Sequence, residues 1–265
     1  MFGFPHATRP EGDQYKKNLL KSVIFQIQFH KNNEIVEGFK DKKAELKAKF
    51  PITNPIFLKT AAVKFQKDKT PIIQTAESEN HGYEFKTNDN DKTLAVTNDT
   101  LSFTVNGPTY KNFYIAFSEI ENDFFPILND LGVTDFHRIA IRKINLVEPV
   151  NPEFPNKDLL SLVFNENLVN NLKSFPDTSF ISSGITNVTL ENNKNRLNLI
   201  YGLLAPAQQK KQILIDIDLF LINQNVDLNS LKSIWETINT EIFNIFNWAL
   251  SDKMKEQINT GDSHA

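Results

Sequence analysis

The sequence predicts an α+β fold of two similar halves, each an antiparallel sheet packed by one long amphipathic helix. Segments with apolar residues at every second position, the mark of half-buried strands, fall into two clusters separated by Asn, Asp and Gly turns. Each cluster closes on a long segment whose apolar residues recur every three or four positions, the mark of an amphipathic helix. The order strand, helix, meander, long helix runs twice, over 22–132 and 135–258, and reads as an internal duplication. The expected organisation is an N-terminal segment 1–21, a first half 22–133, a second half 134–260 and a tail 261–265.

In the first half, Val23, Phe25, Ile27 and Phe29 alternate with Ser22, Ile24, Gln26 and Gln28, predicting a strand over 22–29. Ile35, Phe39, Leu46 and Phe50 stand at helical spacing among Lys and Glu, and Pro51 stops that surface helix. Strands are predicted over 56–66, 71–79, 82–87, 93–97 and 100–105, separated by turns such as Asp68-Lys69 and Asn98-Asp99. A helix follows from Tyr110, with Phe113, Phe117, Ile120, Phe124, Leu128 and Leu131 on one side and Gly132 as its stop.

The second half opens on the strand 135–147 and passes a Pro-rich joint at Pro149, Pro152 and Pro155 to a helix over 158–172 that ends near Pro176. Strands over 184–191, 196–204 and 212–221 come next, the first two joined by the turn Asn192-Asn193-Lys194-Asn195. The last helix spans about 227–258, with Asp227 as N-cap and a stripe of Leu231, Trp235, Ile238, Ile242, Ile245 and Ala249. A helix with one apolar stripe and a sheet with one apolar face bury each other, which leaves the opposite sheet face open in each half.

Composition narrows the function classes. A chain of 265 residues that is 40% hydrophobic and carries 22 Phe can bury a large core. A net charge of -3 argues against a surface built throughout for phosphate backbones. With no Cys there is no disulfide, thiolate metal site or thiol nucleophile, and the chain suits a reducing compartment. The first residues show no targeting pattern and no apolar run reaches the roughly 18 residues of a membrane span, so the expected location is the cytoplasm. A Gly-x-Ser-x-Gly elbow and a phosphate-binding Gly-Lys loop are both lacking, and the five His are scattered. No cofactor is therefore expected.

The strand Phe136-His-Arg-Ile-Ala-Ile-Arg-Lys-Ile-Asn145 carries the pattern R-x-x-x-R-x-I-N. In this it resembles a sporadically distributed family of bacterial proteins with no assigned function. The strand 22–29, Phe50-Pro51, Tyr110 with Phe113 and Phe117, the strand from Ile213 to Phe220 and the last helix with Phe246 and Leu250 are similar to that family's layout. The chain departs from the pattern at Lys143, where an aromatic residue is common, and near Asn239, where a His is often found. The resemblance implies the patchy distribution of mobile or defence gene cassettes and no particular reaction.

Arg138, Arg142 and Asn145 are the candidate ligand-binding residues. The two arginines share a strand face about 13 Å apart, too far to clamp one small carboxylate together, and pairing with Asp216 or Asp218 on a neighbouring strand is the simpler account of both. Asp216 and Asp218 share a face, as a divalent-metal site requires, but no further oxygen ligand converges in the sequence. Phe125, Phe243, Phe246 and Trp248 put apolar groups on more than one side of their helices, which predicts a second buried surface: half against half, a homodimer or a partner. The expected function is a non-catalytic binding protein, an accessory or neutralising component of a defence or toxin cassette that takes a protein partner or a small anionic ligand. The alternatives are a metal-dependent hydrolase or nuclease using Asp216 and Asp218, and nucleic-acid binding on the open sheet face.

Overall fold

The computed structural model describes residues 1–10, 15–41, 46–58, 61–64, 72–75, 79–148, 156–170, 183–204 and 211–260. The Pro-rich joint, the Asp68-Lys69 turn and the helix end near Pro176 lie outside them. The fold is α+β, and its centre is one antiparallel sheet of nine strands.

In chain order the strands are β1 (Leu20–Phe29), β2 (Ile52–Leu58), β3 (Ala61–Lys64), β4 (Ile72–Thr75), β5 (Glu79–Lys86), β6 (Lys92–Thr97) and β7 (Thr100–Asn106). The remainder are β8 (Phe136–Val147), β9 (Gly184–Asn192), β10 (Asn195–Leu204) and β11 (Gln212–Val226). Their order across the sheet is β2-β5-β6-β7-β1-β8-β11-β10-β9, while β3 and β4 form a hairpin apart. The two sheets expected of the two halves are thus one: β1 pairs with β7 on one side and with β8 on the other, Phe25 opposite both Phe103 and Ile141. Each first strand presents a complete ladder edge, and joining the two satisfies both rows of backbone groups.

The helices are α1 (Glu34–Asp41), α2 (Phe113–Asp123), α3 (Phe125–Asp130), α4 (Asn156–Val163), α5 (Glu166–Val169), α6 (Leu228–Ala249) and α7 (Asp252–Thr260). Three segments expected as single helices are broken. The segment after Tyr110 divides at Phe124, where Pro126 stands in the first turn of α3 and withholds a backbone donor. The segment 158–172 divides at Asn165, whose side chain caps α5. The last divides at Leu250, which is extended, bridges to Phe164 and separates α6 from α7. Asp227 caps α6 as expected, its Oδ1 accepting from the Ser230 amide at 2.8 Å.

One sheet face packs against the helices. Trp235 of α6 is fully buried between Phe25 and Phe117, and its Nε1 donates to the Ala140 carbonyl at 3.1 Å. Phe103 and Phe124 extend this layer to one side, and Phe164 against Tyr201 extends it to the other. The core runs without interruption from one half of the chain to the other. The other face carries half-buried polar groups, Gln26, Arg138, Arg142, Asp218 and Asn198 among them. Among the described residues, no helix is long and apolar enough to cross a membrane.

Candidate functional site

The pleat of β8 divides the mid-chain pattern between two environments. Arg138 and Arg142 stand on the open face, whereas Lys143 and Asn145 belong to the helix-packed side and line a cavity there.

On the open face, Arg142 makes a bidentate pair with Asp216 of β11, Nε to Oδ1 at 2.9 Å and Nη2 to Oδ2 at 2.6 Å. Asp216 is 4% exposed, and its hydrogen bonds raise the Arg142 pKa above its ordinary value against the opposing effect of burial. Arg138 donates to Gln26 Oε1, lies 4.1 Å from the centre of the Phe220 ring and stands 3.5 Å from Asp218. Burial dominates that second pair: it pushes the Arg138 pKa down and the Asp218 pKa up, each against the pull of its partner. Asn198 and Arg196 continue the network, Arg196 pairing with Glu191 at 2.6 Å. Each carboxylate on which a metal site would rest is therefore engaged by a guanidinium. Among the described residues no three His, Asp or Glu groups come together to hold an ion.

The apolar surplus of the last helix is covered by the chain itself. Residues 1–10 and 15–19 lie along the outside of α6: the Phe2 and Ala7 amides donate to Glu241 and Asn244, and Phe4 meets Trp248 edge to face at 5.0 Å. Arg9 lies over Phe243 at 5.0 Å, and Tyr15 stacks on Phe243 at 6.0 Å with its hydroxyl donating to Asn247 Oδ1 at 2.7 Å. Burial raises the Tyr15 pKa despite that bond. Phe125 packs inward against Phe117 instead. The second buried surface read from Phe243, Phe246 and Trp248 thus has an occupant within the chain, a strap that sequence patterning passes over because its aromatics Phe2, Phe4 and Tyr15 follow no period.

Where the strap reaches β1 it roofs a cavity of about 120 Å³. Lys17 and Tyr15 come from the strap, Lys143 and Asn145 from β8, Tyr110 and Lys111 from the approach to α2; Ile242, Phe243 and Phe246 of α6 close the apolar side. Lys143 Nζ donates to Asn239 Oδ1 at 2.6 Å and stands 5.6 Å from the Tyr110 ring centre. Asn145 is 6% exposed and donates to the Ile215 carbonyl of the neighbouring strand at 3.2 Å.

His137 neither joins the arginines nor enters the cavity; its ring lies 5.5 Å from that of His30.

The two sheet edges differ. β2 carries Pro55 in mid-strand and a register shift at Ile56/Phe57, both of which discourage pairing. β9 has neither Pro nor Lys, keeps an unbroken register with β10, and is exposed along its length except at Val188. Gly202 of β10, at φ +143°, allows this close pairing, since a Cβ there would collide with the Gly184 carbonyl. Among the described residues no strand pairs with the outer edge of β9.

No protein-family model matches this chain, and no curated protein matches it.

Proposed function

We propose that the chain is a non-catalytic interaction protein that works through β9, and that the strand added there is β9 of a second copy. The observation that carries this is the unguarded edge: nine residues in regular register, no Lys or Pro, with Ile185 47% and Leu190 38% exposed. An isologous antiparallel pairing about Val188 sets Leu190 opposite Thr186 and Ile185 opposite Glu191, so the one charged residue of the strand never faces its copy. The two halves of the chain, in each of which the first strand pairs with the last strand of its meander, fit the duplication read from the sequence. The accessory or neutralising role in a defence or toxin cassette rests on the bacterial resemblance, and the cytoplasmic location on the lack of Cys.

The alternatives draw less support. For hydrolysis through Asp216 and Asp218, a metal would have to displace Arg142 and compete with Arg138. For nucleic acid, Arg138, Arg142 and Arg196 of the open face are offset by Asp216, Asp218 and Glu191.

Light scattering coupled to gel filtration tests the proposal. A dimer is expected, converted to monomer by Ile185→Lys with Leu190→Lys; a wild-type monomer at high micromolar concentration overturns it. Native mass spectrometry with the neighbouring gene products tests the cassette role, and a chain that captures none of them in stoichiometric amount sinks it.

A further inference from the structure

We propose that the cavity beneath the strap binds a small neutral aromatic compound carrying one hydroxyl or amine donor, a ring of phenol or aniline size. The site is separate from the β9 edge and independent of it. Asn145 carries the argument. It lines the cavity and is 6% exposed, and one N–H of its side chain donates to the Ile215 carbonyl at 3.2 Å. Among the described residues no donor reaches its Oδ1. That oxygen is not one of the wholly enclosed unbonded atoms, which are Thr53 Oγ1, Asn98 Oδ1, His137 Nδ1 and Arg196 Nε, so it keeps an opening, and the cavity supplies it. A buried amide oxygen without a donor costs the folded chain free energy, which a ligand's O–H or N–H recovers.

The walls and the size of the cavity fix the rest of the ligand. Four of its lining residues are aromatic, Tyr15, Tyr110, Phe243 and Phe246, and Tyr15 already stands 6.0 Å from the ring centres of both Phe243 and Phe246. Rings of this kind favour a further ring at roughly 4.5–7 Å. The Tyr15 hydroxyl is engaged with Asn247 and the Lys143 ammonium with Asn239, so Asn145 Oδ1 is the acceptor on offer. A charged ligand would lose hydration against Ile242, Phe243 and Phe246, which selects a neutral one. The volume of about 120 Å³ is close to the roughly 150 Å³ of an apolar protein cavity that takes benzene. The lining runs from exposed Asn18 and Lys111 to buried Leu19, Asn145 and Ile242, so the cavity has a mouth and a floor, and the acceptor lies on the floor.

Isothermal titration of the full chain with phenol, aniline and toluene tests the site, since these rings are of nearly one size and differ in the donor. Phenol or aniline is expected to bind saturably and about fivefold tighter than toluene, the worth of one hydrogen bond to a buried acceptor. The leader of the two tells a phenolic ligand from an aromatic amine. A merely apolar cavity gives the opposite order, because a hydroxyl buried without a partner costs free energy. Toluene leading, or no saturable binding of either donor ring, therefore overturns the proposal. Asn145→Leu keeps the bulk of the side chain and removes the acceptor, and should abolish the preference for phenol over toluene; a preference that survives it overturns the proposal as well. The ligand series is read on the wild-type chain, so it stays decisive if Asn145→Leu fails to fold. None of these results bears on the dimer.

Discussion

Arg142 and Lys143 are neighbours in sequence and opposites in setting. Arg142 meets a carboxylate in a bidentate pair on the open face; one residue later, Lys143 turns to the helix side, donates to Asn239 of α6 and lines a cavity. The open face spends its charges on each other, which fixes strand register and leaves little local field. The cavity is lined by side chains from four separate segments, with Ile242, Phe243 and Phe246 of α6 on its apolar side. Paired charges of the first kind arise wherever strands must be kept in register, so by themselves they mark a structural role before a ligand.

The comparison can be tested on both faces, starting where the effect is largest. On the helix side Trp235→Ala removes the fully buried ring that joins Phe25, Phe117 and the Ala140 carbonyl. A loss of about 3–5 kcal/mol is expected by urea denaturation; a loss under about 1 kcal/mol would show that the sheet and helix layers are not held there. On the open face Arg142→Met strands the buried Asp216 carboxylate. That should cost about 3 kcal/mol, the low end for a broken buried pair because Arg142 is itself partly exposed. Adding Asp216→Asn should recover part of it, and a double variant no better than the single would argue against the pair.

A subtler difference follows from the second pair. Burial holds the Asp218 pKa above its ordinary value, so the folded protein keeps that proton more tightly than the unfolded chain does. Its contribution is therefore fully present below the unfolded carboxylate value and is lost as pH rises through the folded one. Urea midpoints measured across the acid range should show Asp218→Asn gaining on the wild type as pH rises, and a constant offset would remove burial as the dominant cause. Smallest is the strap: Arg9→Ala gives up the cation–π contact on Phe243, worth about 0.5–1 kcal/mol, together with a long hydrogen bond to Thr240. Proteolysis of the first residues should quicken in that variant while the global midpoint barely moves.

Much of the fold was legible because periodicity reports burial directly. The alternation of Val23, Phe25, Ile27 and Phe29, the stripe through Trp235 and the cap at Asp227 all appear where the pattern puts them. Breaks at Phe124, Asn165 and Leu250 were not legible, since apolar spacing continues across them and the competing Pro126 and Asn165 signals are local. Of the site, the sequence offered Arg138, Arg142 and Asn145 as one group, and the pleat separates Asn145 from the arginines. The only hint of the cavity was that Lys143 must face away from Arg142; nothing in the spacing of Tyr15, Lys17, Tyr110 and Lys111 foretells that they meet.

By itself the sequence determined the α+β class, the strand and helix faces and the lack of thiol chemistry, because these depend on residue type and short-range period. Only the tertiary structure decided that β1 and β8 fuse two sheets into one, that residues 1–10 and 15–19 cover α6, and that Lys17, Lys111 and Lys143 line one cavity. Those outcomes depend on which edges and faces find each other, and pairing between segments more than a hundred residues apart leaves no mark on the local pattern of either.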